Sequence, residues 1–273
     1  MKYKLLLVLS IFGFLSSCTN EEESLIPNEP KEVDFVIETN QFSRAGKDVF
    51  ELGDSIGIFA VKRSNPSEQA FPNAEGNQAH NAKWIKTEKG WRPATVFDKV
   101  LWSTDGSALD FYAYYPYDGS IKNPAEIASG VALSQSEIAD FLASDKLRAV
   151  NKEGLTEGKV NLFFDHIFSM VQVKLVSSVP LDNTVELSVN GVYSNLKYNL
   201  GTGTQSLTEK FPILMHCIDL EQNLYQAIVP SQQVAKGTVF LNCDYKGNTY
   251  QYTSTGVNLE IGTCQKFQIN LKE

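Results

Sequence analysis

Apolar residues alternate with polar residues along most of the chain, which is the pattern of strands that bury one face. Turn-forming residues separate the alternating segments, and Lys246-Gly247-Asn248 predicts a hairpin between two of them. The sequence therefore predicts an all-β protein with mainly antiparallel strands. The clearest alternating sets are Val33, Phe35 and Ile37; Leu109, Phe111, Ala113 and Tyr115; Val171, Val173 and Leu175; Val185, Leu187 and Val189; and Phe267, Ile269 and Leu271.

One short helix is predicted at Ser136–Leu147, where the apolar period changes from two to that of a helix. Ile138, Phe141 and Leu142 recur at helical spacing, and Ser134 and Glu137 have the spacing of a capping box.

A domain boundary is predicted after residue 158, because the polar, glycine-containing segment 151–159 follows the helix. The two halves, 32–158 and 159–273, each have about the size of a β-sandwich. We therefore expect two tandem β-sandwich domains.

Residues 1–17 have the pattern of a secretory signal peptide. Lys2 and Lys4 precede the apolar run Leu5–Leu15, which is too short to span a bilayer as a stable helix. Leu15-Ser16-Ser17-Cys18 matches a bacterial lipobox, so we expect cleavage before Cys18 and lipidation of its thiol. Two or three acyl chains would anchor the protein stably to a membrane. An ordinary signal peptide with a chance cysteine is the alternative interpretation.

An acidic tether is predicted at residues 18–31. The triplet Glu21-Glu22-Glu23 resembles an export tag that directs lipoproteins to the outer face of the outer membrane. A solvated linker is the alternative interpretation of the same composition.

Net charge argues against nucleic acid as a partner. Removal of the signal peptide takes away Lys2 and Lys4, which changes the formal charge from −8 to −10. A chain with this charge repels phosphate backbones.

Three cysteines follow Cys18, and strand parity predicts where they point. Cys217 and Cys243 share parity with core residues, whereas Cys264 is out of phase with Phe267 and should point outward. Buried thiols or a Cys217–Cys243 disulfide are both compatible with this pattern.

Catalytic and metal-binding patterns are weak, so we expect no enzyme activity, cofactor or metal. The histidines are His80, His166 and His216, and none has metal-ligand spacing apart from the adjacent His216-Cys217, whose side chains point to opposite strand faces. His166 is predicted to be a hydrogen-bonded packing residue, and Asp145 and Asp165 have no evident partners.

A glycan-binding surface is the main alternative function. Trp84, Trp91, Trp102 and the aromatic residues of "FYAYYPY" could form a stacking platform for sugars. The alternating positions of the Tyr and Phe residues favour a sandwich core over such a platform.

Four segments, in this order along the chain, resemble the fimbrillin family, the Mfa-like subunits of type V pili. They are "VFELGDSIGIFAV" at Val49–Val61, "LDFYAYYP" at Leu109–Pro116, "VNLFFDHIFSMVQVKL" at Val160–Leu175, and the closing "GTCQKFQINL". The resemblance implies two transthyretin-like β-sandwiches, a lipoprotein precursor, and assembly with other fimbrial subunits or adhesion to a host or bacterial surface ligand.

The same resemblance implies an assembly mechanism. In related subunits a protease cuts after an arginine beyond the first strand, and a neighbour's strand replaces the one removed. Here the first strand is Val33–Ile37, and the segment that follows it contains Arg44 and Ala45. Arg44 could equally be an exposed loop residue. Only Lys272 and Glu273 follow Leu271, so a tip, anchor or non-polymerising role is as compatible as a stalk role.

Replacement of the lipidation residue tests the predicted location. In Cys18→Ser, the protein should leave the membrane fraction, because no acyl chain can be attached. The wild-type protein should be digested when intact cells are treated with protease. Resistance in intact cells followed by digestion after lysis would contradict surface exposure.

Overall fold

The computed structural model describes residues 30–39, 50–178 and 180–271. These residues form an all-β protein with one α-helix, α1 (Ile138–Ser144), and a 3₁₀ turn at Val96–Asp98. The predicted all-β class with one short helix is confirmed. Within the described ranges, no helix is long and apolar enough to cross a membrane.

The largest sheet has seven strands in the order β1-β8-β7-β5-β2-β3-β4. Neighbouring strands are antiparallel except for β1 and β8, which are parallel. The strands are β1 (Asp34–Thr39), β2 (Ser55–Lys62), β3 (Ala79–Thr87), β4 (Gly90–Pro93), β5 (Leu109–Tyr115), β7 (Leu147–Leu155) and β8 (Lys159–His166).

The remaining strands form four smaller sheets, which lie mostly in the second half of the chain. Their orders are β13-β10-β17-β18, β12-β11-β6, β14-β15-β9-β20 and β16-β19. The strands are β6 (Ile127–Gly130), β9 (Ser169–Val176), β10 (Glu186–Val189), β11 (Tyr193–Tyr198), β12 (Gln205–Lys210), β13 (Ile213–Leu214), β14 (His216–Asp219), β15 (Leu224–Val229), β16 (Gln232–Val234), β17 (Val239–Tyr245), β18 (Asn248–Thr253), β19 (Val257–Leu259) and β20 (Cys264–Asn270).

Strand pairing does not follow the predicted boundary after residue 158. The segment 151–159 is the end of β7, a short turn and the start of β8, and β7 and β8 are neighbours in the seven-stranded sheet. Strand β6, from the first half of the chain, pairs with β11 from the second half. The first sheet therefore extends to His166, and the division into two sandwiches stays a prediction.

The two central strands, β2 and β5, are buried on both faces. Ile58 and Phe111 belong to one core cluster, whereas Phe59 and Tyr112 belong to another that includes residues of the second half. Alternation in the sequence predicts one buried face for β5, whereas the structure buries both faces.

The helix is shorter than predicted, and its predicted capping box does not form. Glu137 is the N-cap residue and its side chain makes no capping hydrogen bond. Ser134 instead forms a parallel β-bridge with Leu214. At the other end Leu147 begins β7, so pairing within the sheet ends the helical segment early.

The predicted hairpin at Lys246-Gly247 is confirmed. Tyr245 pairs with Asn248, and the two loop residues have φ values of 49° and 79°. Both therefore lie in the left-handed region that a two-residue hairpin turn requires.

The cysteines partly follow the parity prediction. Cys243 is fully buried, as predicted, and burial raises the pKa of its thiol to about 11. Cys217 and Cys264 are both half-buried against the same core, so the outward orientation predicted for Cys264 is only partial. The three residues are thiols, and the Cys217–Cys243 disulfide does not form.

The buried ion pair between Arg63, which directly follows β2, and Asp110 of β5 should be important for stability. Arg63 donates to both carboxylate oxygens of Asp110, at 2.7–3.0 Å, and the Asp110 side chain is fully buried. Asp110→Asn should lower the free energy of unfolding by about 3–5 kcal/mol, because it leaves a buried guanidinium without a counter-charge. Urea denaturation measures the change. The matched control is Lys62→Met, which removes the exposed Lys62–Asp105 pair and should cost at most about 1 kcal/mol; equal losses would contradict the prediction.

Candidate assembly site

Strand β1 is an edge strand held by parallel pairing with β8. The register runs from Asp34 opposite Lys159 to Thr39 opposite Phe164. Because β8 pairs with β7 on its other side, β1 alone covers this edge of the sheet. The predicted first strand, Val33–Ile37, is confirmed with a shift of one or two residues.

The residues just before β1 pair with a different part of the chain. Val33 N donates to the Val100 carbonyl at 2.8 Å, and Trp102 N donates to the Lys31 carbonyl at 2.9 Å. Glu32 and Leu101 form an antiparallel bridge between these bonds. The segment 31–39 is thus hydrogen-bonded along two separate backbone edges.

Alternate side chains of β1 point into an aromatic cluster. Val33 and Ile37 are buried, and the half-buried ring of Phe35 meets two rings edge-on. Its centroid lies 5.0 Å from that of Trp84 and 5.6 Å from that of Phe111. We call the surface under β1, formed by the β8 backbone edge and the rings of Trp84 and Phe111, the β1 groove.

Packing in the β1 groove is incomplete. A cavity of about 360 Å³ lies beside the strand, lined by residues 32–35 together with Trp84 and Trp91–Pro93. In the described part of the chain, the buried indole nitrogens of Trp91 and Trp102 have no hydrogen-bond partner. An unpaired buried donor costs about 1–3 kcal/mol. The structure therefore has both unfilled volume and unpaired hydrogen-bond donors near β1.

Phe50, the residue that follows 40–49, attaches the chain to the core through ring contacts. It is buried, and its ring makes edge contacts with Trp91, Tyr115 and Phe164, with centroids 5.0, 5.4 and 5.3 Å away. The alternation pattern of the sequence does not indicate these contacts. The signal was a lone Val49-Phe50 pair after a polar segment.

The predicted site residues Cys18, Arg44 and Ala45 lie outside the described residues, as do the signal peptide and Glu21–Glu23. Their roles stay predictions. In the sequence, Arg44 and Ala45 lie between Thr39, the last residue of β1, and the buried Phe50.

The tryptophan platform for sugars is contradicted. Trp84, Trp91 and Trp102 are only 4–6% exposed and belong to the core cluster under β1. Trp84 also donates its indole N–H to the Asp98 carbonyl at 3.0 Å. These rings pack against neighbouring side chains and cannot stack on a surface ligand.

The histidines have structural contacts. His166 Nδ1 lies 2.8 Å from Asp145 Oδ1 and both are buried, which confirms the predicted packing role of His166 and corrects the prediction that Asp145 has no partner. His216 stacks on Phe141 and contacts the Ser136 carbonyl. Over the ranges that the structure describes, no three His, Cys, Asp or Glu residues are grouped so as to hold a metal ion.

Comparison with known sequences identifies the family. The sequence model of the fimbrillin-like family matches residues 43–273, which is most of the chain. The chain belongs to the fimbrillin-like family. No curated protein matches it.

Solved structures show the same fold at low sequence identity. A proposed cell adhesion protein from Bacteroides uniformis is 19% identical with a TM-score of 0.64, and the match covers 89% of this chain and 94% of that one. A second such protein, from Bacteroides ovatus, is 17% identical with a TM-score of 0.66, covering 89% and 92%. A fimbrial protein from Bacteroides ovatus is 15% identical with a TM-score of 0.50, covering 89% and 51%.

Truncation of the central β1 side chain should measure how strongly the strand is held. Phe35→Ala should lower the free energy of unfolding by about 3 kcal/mol, because the two edge contacts and the buried ring area are lost. The control Glu38→Ala removes an exposed side chain of the same strand and should change stability by less than about 0.5 kcal/mol. Similar values for both variants in urea denaturation would mean that Phe35 does not hold β1.

Proposed function

We propose that this protein is a cell-surface fimbrial or adhesin subunit that is exported as a lipoprotein and assembles by strand exchange after β1 is removed. The observation that carries the proposal is the position of β1: one strand, at the edge of the sheet, covers an aromatic groove. Lipidation of Cys18 would anchor the precursor to the outer membrane. The partners would be other fimbrial subunits.

Cleavage after Arg44 would fall between β1 and the buried Phe50, and it would therefore separate β1 from the rest of the folded chain. The body would begin just before Phe50, whose ring contacts keep the new terminus attached to the core. After the cut, β1 would be held mainly by its backbone hydrogen bonds and by the side chains of Val33, Phe35 and Ile37. The ion pairs Lys99–Glu32 and Lys159–Asp34 are exposed and add little.

Loss of β1 would create a surface that favours another strand. The backbone of β8 would have unpaired donors and acceptors, and the rings of Trp84 and Phe111 would face solvent. An unpaired sheet edge is a template for a new strand, and alternate apolar side chains on that strand would fill the groove. The unused volume beside β1 would accept side chains larger than those of β1.

Controlled cleavage tests the proposal. The purified full chain is treated with an arginine-specific protease and then sized, alone and with subunits from the same cell. The cut form should oligomerise while the uncut precursor stays monomeric, because only the cut form has an open groove. Arg44→Ala should remain uncut at this site and monomeric.

A peptide with the sequence of residues 30–39 provides the matched control. Added in excess, it should suppress oligomerisation of the cut form, because it occupies the β1 groove. The same peptide with Asp in place of Phe35 should have no effect, since a carboxylate cannot enter the aromatic cluster without a partner. If the cut form stays monomeric with all candidate subunits, strand exchange at this site is wrong and a static surface adhesin is favoured.

A further inference from the structure

A second cavity, of about 580 Å³, lies between the seven-stranded sheet and the sheet formed by β6, β11 and β12. Strand β6 and the adjoining strands β11 and β12 form one wall, and the end of β5 with the start of β7 forms the other. This volume is in the range of small-molecule binding sites. Nothing in the strand-exchange mechanism uses it.

Apolar and aromatic groups form much of the cavity wall. Tyr114 lies near the end of β5, Pro116 follows that strand, and Ile121 and Leu196 complete this apolar part. Rings of this kind offer a flat apolar face on which a sugar ring can pack. Tyr114 and Pro116 belong to the "FYAYYPY" segment.

Lys146 places a positive charge in the same wall. In the part of the chain that the structure describes, its ammonium group makes no hydrogen bond or ion pair. Burial lowers its pKa, and the nearby carboxylates of Asp118 and Asp145 only partly oppose this effect. Asp145 is bonded to His166, and Asp118 accepts from Ser120 N at 2.8 Å. A half-buried ammonium without a direct partner favours an anionic group.

Polar groups suited to hydroxyls lie on the opposite wall. Asn195 Nδ2 donates to Glu209 Oε2 at 2.7 Å, so a donor-rich amide and an acceptor carboxylate lie side by side. A sugar hydroxyl both donates and accepts, and this pair offers both functions. Ser129 and Tyr198 also line the cavity, and burial raises the pKa of Tyr198 to about 12.

We propose that this cavity binds a monosaccharide unit that carries a carboxylate, such as a uronate or a sialic-acid-type sugar. The carboxylate pairs with Lys146, the ring packs on Tyr114 and Pro116, and the hydroxyls bond to Asn195 and Glu209. A neutral sugar would leave Lys146 without a partner. A simple carboxylate would leave the aromatic wall and the amide–carboxylate pair unused. The proposal is independent of strand exchange.

Calorimetric titration of the full chain in mild detergent tests the site with four probes: methyl glucuronide, N-acetylneuraminic acid, methyl glucoside and acetate. At least one acidic sugar should bind at least tenfold more tightly than methyl glucoside and acetate. Lys146→Met should weaken that binding at least tenfold, because it keeps the length of the side chain and removes the charge. Lys236→Met, an exposed lysine outside the cavity, should bind like the wild type.

Three results would overturn the proposal. Equal binding of the acidic sugar and methyl glucoside would mean that the charge of Lys146 is not used, and equal binding of acetate would mean that no sugar is recognised. Wild-type affinity in Lys146→Met would also overturn it. Urea denaturation checks that this variant is folded, and Tyr198→Phe, which removes one hydroxyl, should give a smaller loss in the same direction.

Discussion

The backbone edge of β8 is the constraint on which the candidate assembly site depends. Its peptide groups need partners on both sides, and β7 supplies them on only one. The second partner is β1, which comes from a distant part of the chain and runs parallel rather than antiparallel. The strand that satisfies this edge must also place apolar side chains over Trp84 and Phe111. The same two requirements would apply to any strand that replaced β1.

The two-sided burial of β5 connects the two candidate sites. Phe111 points toward the β1 groove, whereas Tyr114, of opposite parity, lines the cavity that contains Lys146. A strand exposes successive side chains to opposite faces, so Phe111 serves the first site and Tyr114 serves the second.

The sequence predicted the features that depend on local pattern. The alternation of Val33, Phe35 and Ile37 placed β1 correctly, and the Lys246-Gly247 turn followed from two residues that accept positive φ. These signals are contained in a few neighbouring residues, so one sequence is enough to read them.

The errors occurred where long-range pairing decides the structure. Polarity at 151–159 predicted a domain boundary, but β7 and β8 pair within one sheet on either side of this segment, so the two-domain division stays a prediction. The tryptophans are amphipathic and their exposure depends on what covers them, which alternation within a short segment does not specify. The partner of Asp145 lies across the fold, and no local spacing indicates it.

The distance along the sequence between β1 and β8 has a consequence for the order of folding. Asp34 pairs with Lys159, so β1 is made first but has no partner until the β7–β8 hairpin exists. Pairing residues so far apart in the sequence costs more loop-closure entropy than forming a hairpin between neighbouring strands. We expect β1 to dock after the sheet beneath it has formed. A body that forms before its first strand arrives should also persist after that strand has left.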